Sequence, residues 1–474
     1  GAVDKVCFPS TEYDIMIMLG GVRMQLKLHV VTIEDLVPED HFLRKLEAAL
    51  DLSFVYEETE GLYSKKYGRP PIDPVMMLKY ILVGFLYGIA SVRQIEQRIQ
   101  TDVALRWYLG LDLFDRVPDH STISQLYRRK PTFRKIFRRL FEEVVRQCIE
   151  KGLVSGRLVA TDSTHVKANA SLASEELIET TETPAVYLER LDKYEEEAAE
   201  AFQKKSGRKH RRSKAKTHRT SRKNTHKRVS RTDPEAGHMH RPGKPVGQHY
   251  LSHQTLDTDH GIILDVVVTP GDVSDLAPYL DQIERVNNDV IPVQTATADA
   301  AYDFPLAHRV LGDMGIEFFV RPVPYYDCPT AKIQRSAFAY DAESDIYICP
   351  AGNRLRLTKL QRSSGGLGLI YKPSRKECLA CPMREQCMTN NGNVRMLTRS
   401  YFQSAVEKNL SKRETPEYTE ALRKRQIWCE GTFAAQKHGH NLTRVLRRGL
   451  EAAEDHCLLS ATAMNLKRMI KAMG

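Results

Sequence analysis

The spacing of apolar residues along the 474-residue chain changes period several times. From about residue 30 to 150 the apolar positions recur at helical spacing. Asp73 followed by Pro74 reads as a helix cap with proline at the first helical position. The segment Val75 to Ile89, interrupted by Lys79, has the apolar density of a buried helix. Ser91 with Gln94 has capping-box spacing and opens a helix expected to run through Gln100. After a break at Arg116, Val117 and Pro118, Asp119 or Ser121 can cap a helix through Tyr127, with Arg128, Arg129 and Lys130 at its end. The residues before Met18 carry no such pattern and are expected to be poorly structured, with a natural start near that methionine.

From about 156 to 322 the pattern becomes that of strands alternating with helices. A short strand, Arg157 to Thr161, ends at Asp162. Gly247 to Leu256 and Gly261 to Val268 read as two strands joined by a turn, followed by a helix from Leu276 to Val286. Another strand, Gln294 to Ala298, ends at Asp299. A helix from Phe304 to Met314 and a strand from Ile316 to Val323 close the series. This order predicts an α/β fold, a ribonuclease-H-like mixed sheet with helices on its faces. Residues 324–414 differ in texture, with tyrosines, cysteines and the glycine cluster Gly365, Gly366 and Gly368, and read as a β-rich insertion. From 415 the chain is helical again. The expected organisation is an extension (1–29), an all-helical domain (30–150), the first part of the core (151–323, with a basic insertion over 170–246), the β-rich insertion (324–414) and a helical completion (415–474).

Charge and cysteine content change this picture in two places. Between Lys204 and Arg231 there are 14 Lys or Arg and no Asp or Glu, which leaves −4 for the rest of a chain whose formal charge is +10. Such a run, Arg211 and Arg212 at its centre, suits a phosphate backbone, with binding driven by counterion release. A solvated linker or a localisation signal is the plainer alternative. The short helices of residues 30–150 suit either a helix-turn-helix-like DNA reader or an ordinary bundle with a basic face. No apolar run reaches the ~18 residues of a membrane span, and Ile15 to Leu19 is too short for a signal peptide. A cytoplasmic, nucleoid-associated location is therefore expected, where structural disulfides are rare. Five of nine cysteines, Cys328, Cys349, Cys378, Cys381 and Cys387, fall within 60 residues. Cys378-x2-Cys381-x5-Cys387 with Cys349 upstream offers the four thiolates of a tetrahedral structural zinc, against free buried thiols.

The chemistry centres on Asp162 and Asp299. Both sit where strands of an open sheet end, the edge at which such sheets hold ligands. Two carboxylates gathered there repel unless a cation lies between them, and hard oxygen donors select magnesium or manganese. Glu430 is the candidate third ligand. Lys437, seven residues on, lies about two helical turns along the same face. Two ions roughly 3.5–4 Å apart can activate a water or a 3′-hydroxyl and stabilise the leaving oxygen. Singly, each residue has an ordinary reading, since an aspartate after a strand often only caps a helix or forms a turn, as Asp303 is expected to.

The motif from Ala160 through Asp162 to Ala170, and Thr297-Ala-Asp-Ala-Ala-Tyr-Asp303, resemble the first- and second-Asp motifs of DDE transposases of bacterial insertion sequences. Tyr56 to Gly88 is similar to that family's N-terminal helical domain, and Asn441 to Met469 to its closing helices. The resemblance covers nearly the whole chain from Met18, in the branch with a β-rich insertion before the catalytic glutamate. It implies a metal-dependent enzyme that cuts transposon ends and joins their 3′-hydroxyls to target DNA, with Asp162, Asp299 and Glu430 holding two Mg2+ or Mn2+ ions. It also supports zinc in the insertion, and it implies double-stranded DNA (terminal inverted repeats and target) as partner and a homodimer on DNA. A stand-alone nuclease and a non-catalytic DNA-binding regulator are the competing readings.

One departure concerns the Tyr, Arg, Glu and Lys that related transposases carry on one helix. Here the Arg position is Gln426 and the Tyr position is Arg423, while Glu430 and Lys437 keep their spacing. Arg423 and Arg425 can still reach phosphate. His165 and Lys167 border the site by resemblance, and His165 either orders a water or phosphate or packs. Arg444, Arg447 and Arg448 offer a phosphate clamp or a solvated basic turn. Deleting residues 204–231 is expected to weaken DNA binding and flatten its dependence on salt, measured by fluorescence anisotropy over a salt series; an unaltered slope would make that segment a linker.

Overall fold

The structure, a computed structural model, describes the chain except for residues 1–12, 20–21, 29–30, 63–71, 130–131, 181–185, 207–224, 242, 277, 324–332, 364–365, 389–393 and 474. Lys130, Arg211, Arg212 and Cys328 lie outside the described residues, as do the side chains of Arg128 and Arg129. The fold is mixed α/β, and the chain divides into two compact units, residues 1–140 with 470–474 and residues 141–469.

In the first unit β1 (Tyr13–Leu19) and β2 (Val22–Leu28) form an antiparallel hairpin. The expectation of a poorly structured chain before Met18 therefore fails from Tyr13 onward. Backbone pairing, with Tyr13 opposite Leu28 and Leu19 opposite Val22, supplies the order that helical periodicity could not. Helices follow: α1 (Ile33–Leu36), α2 (Phe42–Ala49), α3 (Phe54–Thr59), α4 (Pro74–Leu86), α5 (Val92–Thr101), α6 (Val103–Tyr108) and α7 (His120–Arg129), and α8 (Thr132–Glu150) runs across the boundary at residue 140. Asp73 Oδ1 accepts from Met76 N at 2.8 Å, the N-cap its position before Pro74 predicts. Ser91 stands at the start of α5, but its hydroxyl makes no capping bond, so the expected Ser91–Gln94 box does not form. Burial of Ile95 and Ile99 holds this helix instead. At α7 the cap is Asp119, which accepts from Ser121 N at 2.7 Å.

The second unit is built on a six-stranded sheet. Its segments are β3 (Leu158–Lys167), β4 (Glu175–Thr180), α9 (Val186–Ser206), β5 (Thr225–Ser230), β6 (Gly237–Met239), β7 (Gly247–Asp257), β8 (Ile263–Pro270), α10 (Tyr279–Arg285), β9 (Thr295–Ala298), α11 (Pro305–Asp313) and β10 (Glu317–Val320). The order across the sheet is β10–β9–β3–β7, with β8 on the far side of β7 and β6 pairing the start of β7. β10, β9 and β3 run parallel, whereas β7 is antiparallel to β3 and to β8. β4 and β5 form a separate ribbon, with α9 between them in sequence.

The start of β3 is pinned from both sides. Asp257, at the end of β7, accepts from Ser155 N (3.1 Å) and Gly156 N (2.9 Å), while Gly156 O accepts from Gln294 N just before β9. Gly156 has φ +69°, and a Cβ there would lie 2.2 Å from Pro292 O, so only glycine fits. β3 does not stop at Asp162, as the sequence pattern suggested, but continues to Lys167 because β7 pairs with it along that whole length.

The remaining elements are β11 (Ala339–Asp341), β12 (Ile346–Ile348), β13 (Arg354–Ser363), β14 (Gly366–Lys372), α12 (Arg375–Leu379), α13 (Arg384–Cys387), β15 (Leu397–Ser400), α14 (Gln403–Leu410), α15 (Pro416–Arg425), α16 (Gly431–Gly439) and α17 (Leu450–Met473). β11 to β15 form one antiparallel sheet over a core of Phe338, Tyr347, Leu355, Tyr371 and Leu397. Its other contact is α9, whose Ala199 packs with Leu360 and Leu367. α17 secures the central sheet through Asn465, fully buried, whose Oδ1 accepts from Ile263 N and whose Nδ2 donates to Ile263 O, both at 2.8 Å. Asn465→Ala would strand both backbone groups of β8 and is expected to destabilise this unit by about 2–4 kcal/mol, read from chemical denaturation.

Candidate active site

β9 ends at Ala298, which is in register with Thr161 of β3. The next residue on each strand is an aspartate, so Asp162 and Asp299 come side by side where β3 runs on without this neighbour. Asp299 Oδ1 accepts from Ala301 N at 2.8 Å and caps a single 3-10 turn, Ala300–Tyr302. The Asp162 carboxyl is 18% exposed. Burial pushes its pKa up to about 6, and the charge of Asp299 pushes the same way; the Ser163 N–H, 2.8 Å from Oδ1, and the Arg425 guanidinium act against them.

The third acid arrives on a helix that changes pitch. α15 passes into a π-turn, Gln426–Glu430, and then into α16. In an unbroken α-helix the residue four before Glu430, Gln426, would share its face. The wider turn gives that place to Arg425. Arg425 Nη1 lies 3.2 Å from Asp162 Oδ2, and its Nη2 lies 3.8 Å from Glu430 Oε1. Buried Cys429 neighbours this group: burial raises its thiol well above the ordinary range, and the charges of Asp162, Glu430 and Asp299 push the same way while Arg425 acts against them. The linear spacing of the helix pointed to Gln426, and no residue type marks a π-turn in advance.

Lys437, half-buried, has its pKa lowered by burial and by the charge of Lys244. His165 is held down to about 4, chiefly by burial and then by Lys437, His249 and Lys244. At neutral pH it therefore offers a neutral ring, and its ring centroid is 5.7 Å from that of His249. Lys244 and His249 carried no motif that could have singled them out. Strand alternation also turns His165 to the face opposite Asp162. Lys167 ties the end of β3 to the segment after α16: its N–H donates to Thr443 O at 3.0 Å and its carbonyl accepts from Val445 N at 2.9 Å. Arg444 and Arg448 both donate to Asn169, to Oδ1 at 2.9 Å and to the carbonyl at 3.2 Å. Arg447 pairs with buried Asp455 at 3.1 Å, and Arg423 pairs with Glu420 at 2.7 Å on an exposed surface.

Cys349, Cys378 and Cys381 all act on Cys387, whose thiol is raised mainly by burial, but no three of these four sulfurs lie within 4.8 Å of one another. Among the described residues, the group of three whose ligand atoms lie within 4.8 Å of one another is Glu96, Asp119 and His120. Glu96 Oε2 there accepts from His120 N (3.0 Å) and lies 2.7 Å from Nδ1, the geometry of a cap on α7. Asp162, Asp299 and Glu430 are not drawn that tightly; a guanidinium reaches two of the three. An oxygen-only donor set already attended by a cationic side chain fits a hard divalent ion.

Residues 31–129 match the family described as Transposase domain (DUF772), and residues 348–470, which include Glu430, match the family described as Transposase DDE domain. Two separate segments of the chain are thus similar to transposase families, the second of them a DDE domain. Asp162 and Asp299 fall outside the matched segments. No curated protein matches this chain. Among solved structures it is similar to a piggyBac transposase synaptic complex with hairpin DNA, with 12% identity, a TM-score of 0.37, and coverage of 91% of this chain and 75% of that one. It is also similar to a Mos1 transposase paired-end complex with a left transposon end, with 13% identity, a TM-score of 0.17, and coverage of 56% of this chain and 63% of that one.

The raised pKa of Asp162 has a consequence for stability. Its folded value lies above the ordinary 3.8, so the ionised carboxylate opposes folding above about pH 6, and that opposition vanishes below about pH 4, where folded and unfolded chains are both protonated. In metal-free buffer, Asp162→Asn is expected to stabilise the protein at pH 8 by on the order of 2 kcal/mol, with the gain shrinking toward pH 4. Thermal melts at the two pH values check this, and an equal Tm for both proteins at pH 8 contradicts it.

Proposed function

We propose that the transposase cleaves phosphodiester bonds at the ends of its element and joins the freed 3′-hydroxyls to target DNA, with Asp162, Asp299 and Glu430 holding two divalent ions. The observation that carries this reading is the single guanidinium of Arg425, which reaches both Asp162 and Glu430. Acids from β3 and from the α15–α16 helix thereby share one cation, and Asp299 stands next to Asp162 at the end of the neighbouring strand. The strand order β10–β9–β3–β7–β8 supports the ribonuclease-H-like core that the sequence led us to expect.

Magnesium or manganese at this position would supply the Lewis acid that polarises the phosphodiester and the positive charge that offsets the leaving oxygen. The chain's own residues do the rest. Asp162 gives up its proton before it can act as a ligand. Arg425 holds the acids together in the free protein and is released toward phosphate as the site fills. Lys437, with Lys244 nearby, orients the scissile phosphate. Neutral His165, on the opposite face of β3 from Asp162, packs against His249, and Lys167, Arg444 and Arg448 line the continuation of the same edge. The helices α1–α8 and the basic residues around Arg211 and Arg212 bind the terminal inverted repeats, and two separated ends require at least a homodimer. The cysteine group Cys349, Cys378, Cys381 and Cys387 serves a structural zinc.

The test uses duplex DNA carrying the inverted repeats that flank the coding region. The protein is expected to cleave it in Mg2+. Asp162→Ala, Asp299→Ala and Glu430→Ala should each reduce cleavage by at least about 1,000-fold while DNA binding persists. Cleavage unaltered in these variants would remove the reading, and cutting without joining of pre-cleaved ends would make the protein a nuclease.

A further inference from the structure

Arg399 and Arg423 each close a two-pronged fork on a single carboxylate. Arg399 donates to both oxygens of Glu407 at 2.7 Å, and Arg423 to both oxygens of Glu420 at 2.7 and 2.8 Å. Arg425 does not. Its terminal nitrogens go to different acids, Nη1 to Asp162 Oδ2 at 3.2 Å and Nη2 to Glu430 Oε1 at 3.8 Å, the second beyond hydrogen-bonding reach. The fork is the strong form of an arginine–carboxylate contact, so Arg425 makes the weaker, exchangeable form. The contact also has a direction. The side chains of Asp162 and Arg425 are largely buried, whereas that of Glu430 is 60% exposed. The guanidinium therefore spans from a buried acid to a solvent-facing one, and its outer end lies where a phosphate can arrive. The π-turn that begins at the next residue, Gln426, is what turns Arg425 toward the acids.

We propose that Arg425 gates the metal site: in the free protein its guanidinium occupies the cation position between Asp162 and Glu430 and keeps divalent ions weakly bound, and a backbone phosphate of bound DNA draws it away and opens that position. The inference rests on the metal-binding reading above and adds an order to it, DNA before metal. The guanidinium would stand within about 4 Å of a divalent ion held by these acids, and two cations at that separation repel strongly where water is scarce. The same side chain suits either partner, because its planar donors match a phosphate as well as a carboxylate. Once Arg425 turns to phosphate, the acids are left uncompensated and a divalent ion becomes the favoured occupant. The effect is reciprocal, so whatever factor DNA adds to metal affinity, metal adds to DNA affinity. A cutting centre arranged in this way stays unloaded until DNA is in place.

Calorimetry of Mn2+ binding to the full-length protein at neutral pH, alone and with saturating duplex, tests the gate. The duplex stops at the terminal nucleotide of the element, as a 3′-dideoxynucleotide, so it can be neither cut nor joined. Without DNA, Arg425→Gln is expected to bind Mn2+ about 5–150-fold more tightly than the parent, the usual size of a coupling between sites. Arg309→Gln, which removes an exposed guanidinium paired with Asp313, is expected to change nothing. The duplex should tighten Mn2+ binding to the parent by a factor similar to that gained in Arg425→Gln, and should add little to Arg425→Gln itself. Arg425→Met, which keeps the apolar stem, takes its place if Arg425→Gln does not fold. Unchanged or weaker Mn2+ binding on loss of the guanidinium overturns the proposal. So does an equal gain in Arg309→Gln, which would reduce the effect to net charge, or a duplex that tightens binding no more in the parent than in the Arg425 variant. Asp162→Ala separates these failures from a deeper one. If it abolishes Mn2+ binding in the presence of duplex, only the gate falls; if it binds Mn2+ as the parent does, or the parent binds none even with duplex, the metal site itself falls.

Discussion

Two carboxylates side by side, one of them largely buried, repel each other and cannot both stay ionised without a cation. This constraint organises the second unit. Asp162 bears it most directly, with its proton held to about pH 6 by burial and by Asp299. In the free protein the opposing charge comes from Arg425, which reaches Asp162 and Glu430 together. The site is thus held under electrostatic tension that a stronger cation relieves, and the same tension makes the surrounding fold less stable than it would be with a neutral residue at position 162.

Holding that arrangement demands exact strand register, and the chain invests in it at the beginning of β3 rather than at the site. Asp257 and the Gln294–Gly156 bond fasten the strand to β7 and to the approach of β9. A slip of one residue would turn Asp162 to the other face of the sheet. On the helix side the correction is made by the π-turn. It changes which residue faces the acids without changing the distance in sequence between Glu430 and Lys437.

Much of this was legible in the residues. The strand over Gln294 to Ala298 and the helix over Phe304 to Met314 were each placed within a residue of the observed β9 and α11, because apolar runs bounded by Asp299 and Pro305 leave little choice. The pairing of Asp162 with Asp299 followed from two strands each reaching an aspartate. What escaped was decided by partners distant in sequence. Asp162 looked like a strand end because an aspartate usually disfavours a strand, yet pairing with β7 carries β3 on to Lys167. The Ser91–Gln94 spacing satisfied a local rule that its hydroxyl does not use. Arg425 could be judged only by linear count, which a change of helical pitch invalidates. Arg447 carries the same charge as Arg444 and Arg448, and only the fold reveals that Asp455 takes it.

The packing of α9 on β13 and β14 joins two stretches of chain that leave the central sheet more than a hundred residues apart. Ala199, Leu360 and Leu367 form one small core, with Phe202 and Tyr401 against it. Neither stretch can be trimmed alone without uncovering the apolar side of the other, so gain or loss of either in a related protein should be matched by the other. The last turn of α9, which carries Lys204 and Lys205, is consequently anchored through the same helix to the cysteine-bearing sheet.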